Sequence, residues 1–393
     1  MMRRETSLLQ KFGFLVAILL VTSAFALPST AILSNNMPSS AISNGGFEDG
    51  TLEPSWAPMR MSPDGIGKLD PTVASRHMNV TQEYVHTGSY ALKFFNLTQD
   101  NETLPYFGAI IHVPMDWLNS DNILGYRLSL WVSTGEFNDT TVLNPQVLQW
   151  ALGVGVYCID ENDQIVFYTL WNPSYPTINV SSPAFWRDEW RNIVVNVPGD
   201  TAAIIIGVDW ESADLVPSNA TIYFDDVNLE PYNTFVGLDG STYYVGNINL
   251  VASVSSYEEP SFRVSVDASI SKEYMPLTPG EFTSSVHKLT VGLTMNEASP
   301  GVYSGFWPVP MRWTLIGPYY ATFTFKASFT RWPDGIAYNH MLVFSRSFTV
   351  IPLTPIILSA ILIGVIVVAI VKSKWMSAEI PILLILLLIL LLY

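Results

Sequence analysis

Between its two ends the chain carries strand periodicity and little helical signal. Arg127–Val132, Ile165–Leu170, Ile193–Val197, Ala203–Val208 and Ala321–Phe329 are β-branched, aromatic and often alternating, and clusters of Asn, Asp, Pro, Gly and Ser separate them. A period of two sends successive side chains to opposite faces, which is the demand of a pleated sheet with one buried side. Many short strands at this spacing predict an all-β protein built from sandwiches or jelly rolls. In the run YRLSLWV, Leu128, Leu130 and Val132 share one face, so Trp131 points to the other.

The ends are different in kind. Arg3, Arg4 and Lys11 precede a compact apolar stretch, Phe12 to Val21, and Ala24-Phe25-Ala26 follows with a small-x-small pattern. Residues 1–26 therefore read as a secretory signal sequence. Leu353 to Val371 runs without a charge and would cover about 28 Å as a helix, close to the thickness of a hydrocarbon core. Lys372 and Lys374 follow at once. Positive residues stay on the cytoplasmic side, so everything before Leu353 is expected outside the cell. The signal sequence demands the same orientation. A second uncharged run, Ile380 to Tyr393, reaches only about 21 Å and reads as the return arm of a hairpin or a half-inserted tail.

Charge narrows the partners. The chain has 34 acidic residues against 19 basic ones, a formal net charge of −15. Such a surface repels phosphate backbones and argues against nucleic-acid binding. It suits divalent cations or an acidic milieu. There is one cysteine, Cys158, so no intrachain disulfide can form. Its setting, LGVGVYCID, predicts a buried small hydrophobe.

Residues 27–40, rich in Ser, Asn and Pro, read as a flexible leader. A boundary is expected near residues 231–240, where a strand-like TIYFDDVNLE meets Pro231 and a turn follows at Gly237 to Ser241. Six N-x-S/T sequons, at Asn79, Asn96, Asn101, Asn138, Asn179 and Asn219, all precede that boundary. In an exported chain they predict glycosylation of the first domain.

Within residues 41–232 three motifs stand in order. The segment opens on Ser43-Asn44-Gly45-Gly46-Phe47-Glu48-Asp49-Gly50, with Trp56 shortly after. Val85-His86-Thr87-Gly88-Ser89-Tyr90-Ala91-Leu92-Lys93 follows, and Ile222-Tyr223-Phe224-Asp225-Asp226-Val227 closes it. This order resembles the CenC-type carbohydrate-binding modules, which have a galactose-binding-like jelly-roll fold. The resemblance implies a structural calcium ion, with Glu48 and Asp226 as side-chain ligands, Asp225 as the alternative, and backbone carbonyls from the turn at His86–Ser89. It also implies sugar binding through aromatic faces on a concave sheet. Trp131, Tyr157, Trp171 and Trp210 are the leading candidates, with Tyr168 and several further tryptophans behind them. His86 reads as a turn residue, since hard calcium does not favour imidazole. Trp190 reads as a packing residue at a strand start.

Residues 236–352 alternate again at Tyr243–Val254, Phe262–Ile270, Leu289–Met295, Tyr319–Phe329 and Met341–Val350. Ser299-Pro300-Gly301-Val302-Tyr303 and the terminal Phe348-Thr349-Val350 resemble Ig-like surface domains, which implies a β-sandwich stalk running into the membrane segment. G-x-S-x-G, H-E-x-x-H and P-loop patterns are absent from the sequence, and no enzymatic activity is expected. The sequence predicts a membrane-anchored extracellular protein that binds polysaccharide or glycan. The alternative is a glycosylated structural component of a surface layer or membrane complex, with neighbouring membrane proteins as partners and no free sugar bound.

Overall fold

The computed structural model describes residues 42–62, 65–96, 106–134, 153–171, 190–209, 221–244, 246–255, 262–274, 287–309, 316–330, 335–351, 356–357 and 359–364. The signal sequence, the leader and the second hydrophobic segment lie outside these residues, as does most of the 353–371 run. Helical residues 356–357 and 359–364 belong to that run. Among the described residues no helix is long and apolar enough to cross a membrane.

The protein is all-β, as the periodicity predicts. The first sandwich has β1 (Ala57–Ser62), β2 (Gly65–Lys68), β3 (Met78–Thr81), β4 (Ala91–Phe94), β5 (Tyr106–His112), β6 (Ile123–Thr134), β7 (Gly153–Ile159), β8 (Ile165–Trp171), β9 (Arg191–Pro198), β10 (Ala203–Asp209) and β11 (Ile222–Leu238). Two short helices, α1 (Pro71–His77) and α2 (Met115–Leu118), lie between β2 and β3 and between β5 and β6 in the chain. One sheet has the order β2-β1-β5-β10-β7-β8. The facing sheet places β4 and β6 against β11, with β3 and β9 outside them. The chain crosses between the sheets before β3, β5, β6, β7, β9, β10 and β11, which is the path of a jelly roll. Alternation decides which residues meet between the sheets: Leu128, Leu130, Val132, Ile193, Ile204, Ile206, Val156 and Phe224 are all buried there.

The second sandwich has β12 (Thr242–Tyr243), β13 (Asn247–Val254), β14 (Phe262–Tyr274), β15 (His287–Thr294), β16 (Asn296–Ser299), β17 (Val302–Pro308), β18 (Gly317–Thr330) and β19 (Ala337–Val350). One sheet is β12-β19-β18-β14-β15; the other runs β16-β17-β13 and then joins β11. Gly246, at φ +85°, separates β12 from β13 where the sequence reads one continuous strand.

The boundary expected at 231–240 falls inside a strand. β11 pairs with β6 as far as Asn233 and then with β13 from Thr234 to Leu238, so it serves both sandwiches. Pro231 sits in the middle of it, opposite Tyr126. Proline lacks an N–H and is tolerated where one side of a strand is open. At this point β4 has ended and β13 has not begun, so among the described residues only β6 flanks it. Aromatic side chains then seal the joint. Phe329 and Phe262 stack at 5.1 Å, Tyr232 lies 4.8 Å from Phe262, and Phe167 of β8 meets both Phe329 and Tyr338. Asp200 accepts a hydrogen bond from the Tyr338 hydroxyl and lies 3.9 Å from His340 Nδ1. One hydrophobic core extends through both sandwiches.

Candidate functional site: a carboxylate corner and two aromatic faces

Three motifs separated by up to about 180 positions meet at one corner of the first sandwich. β11 and β6 lose register between Asp225 and Asn228, with one extra residue on β11. This bulge puts Asp226 at φ +47° and turns both aspartates toward the 86–90 turn. Gly45 packs on the same bulge: its carbonyl accepts from Val227 N at 2.9 Å, and a Cβ there would overlap the Val227 carbonyl oxygen. Only glycine fits. Phe47, wholly buried against Trp56 at 5.3 Å, anchors the segment and brings Glu48 over the turn.

Each carboxylate oxygen of the corner accepts at least one hydrogen bond. Glu48 Oε1 accepts from the backbone of Ser89 and Tyr90 at 2.9 and 3.2 Å, and Oε2 from Ser89 at 3.0 Å. Asp225 Oδ2 takes the N–H groups of His86 and Thr87 at 2.9 and 3.2 Å, and Oδ1 takes that of Asp226 at 2.7 Å. Asp226 Oδ2 accepts from His86 Nδ1 at 2.6 Å, and its Oδ1 from the Thr87 hydroxyl at 2.7 Å. Burial pushes the Asp225 carboxyl up to about 6, against the pull of its three N–H donors. The sequence reading had this turn supplying carbonyls to a cation. In the structure it aims N–H groups at the carboxylates. Among the described residues no three His, Cys, Asp or Glu side chains are placed to hold a metal ion. The calcium implied by the resemblance does not fit this donor set.

The jelly roll has two outward faces that carry aromatic rings. On the β11–β6–β9 side, Trp131 points away from the core as the alternation requires, opposite Asp225 in register. His86 stacks on it at 4.0 Å. Trp190 lies 5.5 Å from His86 and stacks on Tyr84 at 5.3 Å, and Tyr84 meets Tyr223 edge-on. Lys93 sits over Tyr223 and pairs with Glu83. These rings fasten residues 83–90 onto the sheet, and their faces are largely spent on one another. Trp190 packs as the sequence led one to expect.

The six-stranded sheet presents the other face. Cross-strand register builds the row Ala57–Ile110–Ile205–Tyr157–Tyr168 over five strands. Tyr157 and Tyr168 stack at 5.8 Å. Beside this row runs a second, Met59–Gly108–Gly207–Gly155, with three glycines on adjacent strands. Ile205 leans into it, since a Cβ on Gly108 would come within 2.5 Å of its Cγ2. The face is closed over at its centre: Ile205 is wholly buried and Tyr157 is 9% exposed, while Tyr168 remains half-buried.

The other expected residues scatter. Trp171 ends β8 opposite Val154, out of the Tyr157 row. Trp210 lies outside the described residues, with Asn101, Asn138, Asn179 and Asn219. Asn79 is exposed on the outermost strand β3. Asn96 is also exposed, and its side-chain amide donates to the Arg76 carbonyl at 3.1 Å. Cys158 is wholly buried, and burial pushes its thiol up, so it is a core residue as expected.

No protein-family model matches the chain, and no curated protein matches it. Among solved structures it is similar to a cleaved adhesin domain of Lys-gingipain from Porphyromonas gingivalis, at 15% identity and a TM-score of 0.26, covering 47% of this chain and 95% of that one. It is similar also to the adhesin domain of Epf from Streptococcus pyogenes, at 11% identity and a TM-score of 0.28, covering 79% and 97%. At such scores the likeness carries no functional weight.

Proposed function

We propose that this protein is a membrane-anchored, extracellular binding protein that holds a glycan-binding jelly roll on a β-sandwich stalk and has no catalytic role. The observation that carries the sugar reading is the Tyr157–Tyr168 stack beside a row of glycines on the outward face of the six-stranded sheet. Pyranose C–H faces stack on aromatic rings; the three glycines are buried, so the half-buried Tyr168 at the end of the row is the ring that reaches the surface. Tyr168, the more accessible of the two rings, is the contact residue in this reading. The anchor reading rests on the uncharged run Leu353–Val371 with Lys372 and Lys374 behind it.

A second reading has its own support. A strand shared between two sandwiches and one continuous core join the two sandwiches, which suits a structural element of a surface layer. The full chain in detergent, applied to an array of immobilised neutral and acidic oligosaccharides, separates the two. Saturable binding that Tyr168→Ala removes supports the receptor; silence across the array supports the structural role. Protease added to intact cells tests the anchor. Shaving of the two sandwiches with retention of the tail in the membrane is the expected result, and full protection would contradict it.

A further inference from the structure

We infer that the corner formed by Glu48, Asp225 and Asp226 is an anion nest filled by the protein's own carboxylates, and that it holds the jelly roll closed without a metal ion. A calcium cage needs roughly six to eight oxygen ligands turned inward. Here the 86–90 turn does the reverse. Gly88 adopts φ +69°, and the backbone N–H groups of His86, Thr87, Ser89 and Tyr90 all donate to carboxylate oxygens. Successive N–H groups around a residue of positive φ form a concavity that selects negative charge. A Cβ on Gly88 would overlap the Glu48 carboxylate, so the glycine is required by the close approach as well as by φ.

His86 bridges two strands with its side chain. Its Nδ1–H donates to Asp226 at 2.6 Å while its ring stacks on Trp131 at 4.0 Å. It thus ties the last strand to the HTGSY turn in one direction and to the neighbouring strand in the other. The Thr87 hydroxyl, bonded to both Asp226 oxygens, completes the tie. Seven donors serve three carboxylates, and none of the contacts asks for a metal.

The test is thermal unfolding of the full chain in detergent, in EDTA and in excess CaCl2, with a calorimetric titration of Ca2+ alongside. The nest predicts the same Tm in both and no saturable uptake of Ca2+ that depends on Glu48 or Asp226. A filled calcium site would raise Tm on the order of 5 °C or more, and such a rise, lost in Glu48→Gln, overturns the inference. His86→Phe keeps the ring on Trp131 and removes the Nδ1 donor. It is expected to lower Tm by about 5 °C equally with and without calcium. An unchanged Tm in that variant would also overturn the inference. The titration on the unaltered protein decides the metal question even if the variant does not fold.

Discussion

The two outward faces of the jelly roll both carry aromatic rings, five around Trp131 and the Tyr157–Tyr168 pair on the six-stranded sheet among the described residues, and put them to different uses. Around Trp131 the rings touch one another in series, from Trp131 through His86 and Trp190 to Tyr84 and Tyr223, and the carboxylate corner lies directly beside them. Around Tyr157 there is one stacked pair at the end of an apolar row, with glycines alongside. A ring whose faces are taken by neighbours contributes packing. A ring at the end of a row that stays half-buried, as Tyr168 does, reaches the surface. The contrast teaches that counting aromatics in a sequence says little about binding until the register shows what each ring already touches.

The largest effect that would sharpen this contrast belongs to the packed side. Gly88→Ala forces an L side chain into positive φ and displaces Glu48 from its N–H donors. A loss of about 3–4 kcal/mol is expected in chemical denaturation. Next comes Trp131→Ala, which removes a half-buried ring and frees His86. It is expected to cost about 2–3 kcal/mol and to leave sugar binding intact; a lost ligand with unchanged stability would exchange the roles of the two faces.

Asp225 gives a smaller, pH-dependent signature. Its carboxyl is pushed up to about 6 in the folded protein from an ordinary value near 3.8, chiefly by burial. A raised folded value means that the stability it contributes is full below about pH 4 and is lost as pH rises through about 6. The contribution is expected to be about 1–2 kcal/mol, read as the part of the pH 4.5-to-7 stability change (roughly this window) that Asp225→Asn abolishes. His340 at the joint works in the opposite sense. Burial lowers it from 6.5 more than Asp200 raises it, so its contribution is present above pH 6.5 and lost on acidification. Smallest of all in stability is Tyr168→Ala, expected to cost about 1 kcal/mol for a half-buried ring.

How much of this could be read from the residues alone follows from range. The strands were readable because alternation is local: β6, β8, β9, β10, β14, β15, β18 and β19 all coincide with runs picked out by period two. The three motifs of the corner were readable as well, because glycines and carboxylates in fixed order are constrained by one tight junction. The resemblance implies carbonyl oxygens around a cation there, whereas the structure turns the N–H groups of residues 86–90 toward the carboxylates. Sequence shows that a turn lies near two carboxylates, and only backbone direction shows whether N–H or C=O faces them. His86 was passed over for the same reason, since its partners Asp226 and Trp131 lie 140 and 45 positions away in the chain. The continuous β11 was hidden by Pro231, which reads as a break unless its open flank is known. Tyr168 was among the wider candidates and Trp171 among the leading ones; register, which no local pattern shows, sets Tyr168 beside Tyr157 and Trp171 opposite Val154.

The account turns on the two faces having separate tasks, and one paired titration tests that most directly. The unaltered chain, Tyr168→Ala and Trp131→Ala would each be titrated with the strongest-binding oligosaccharide from the array, at a temperature where all three remain folded. The expected result is that Tyr168→Ala loses at least about tenfold in affinity, equal to 1.4 kcal/mol, while Trp131→Ala binds as the unaltered chain does. Equal binding by Tyr168→Ala, with the loss appearing in Trp131→Ala, would contradict it.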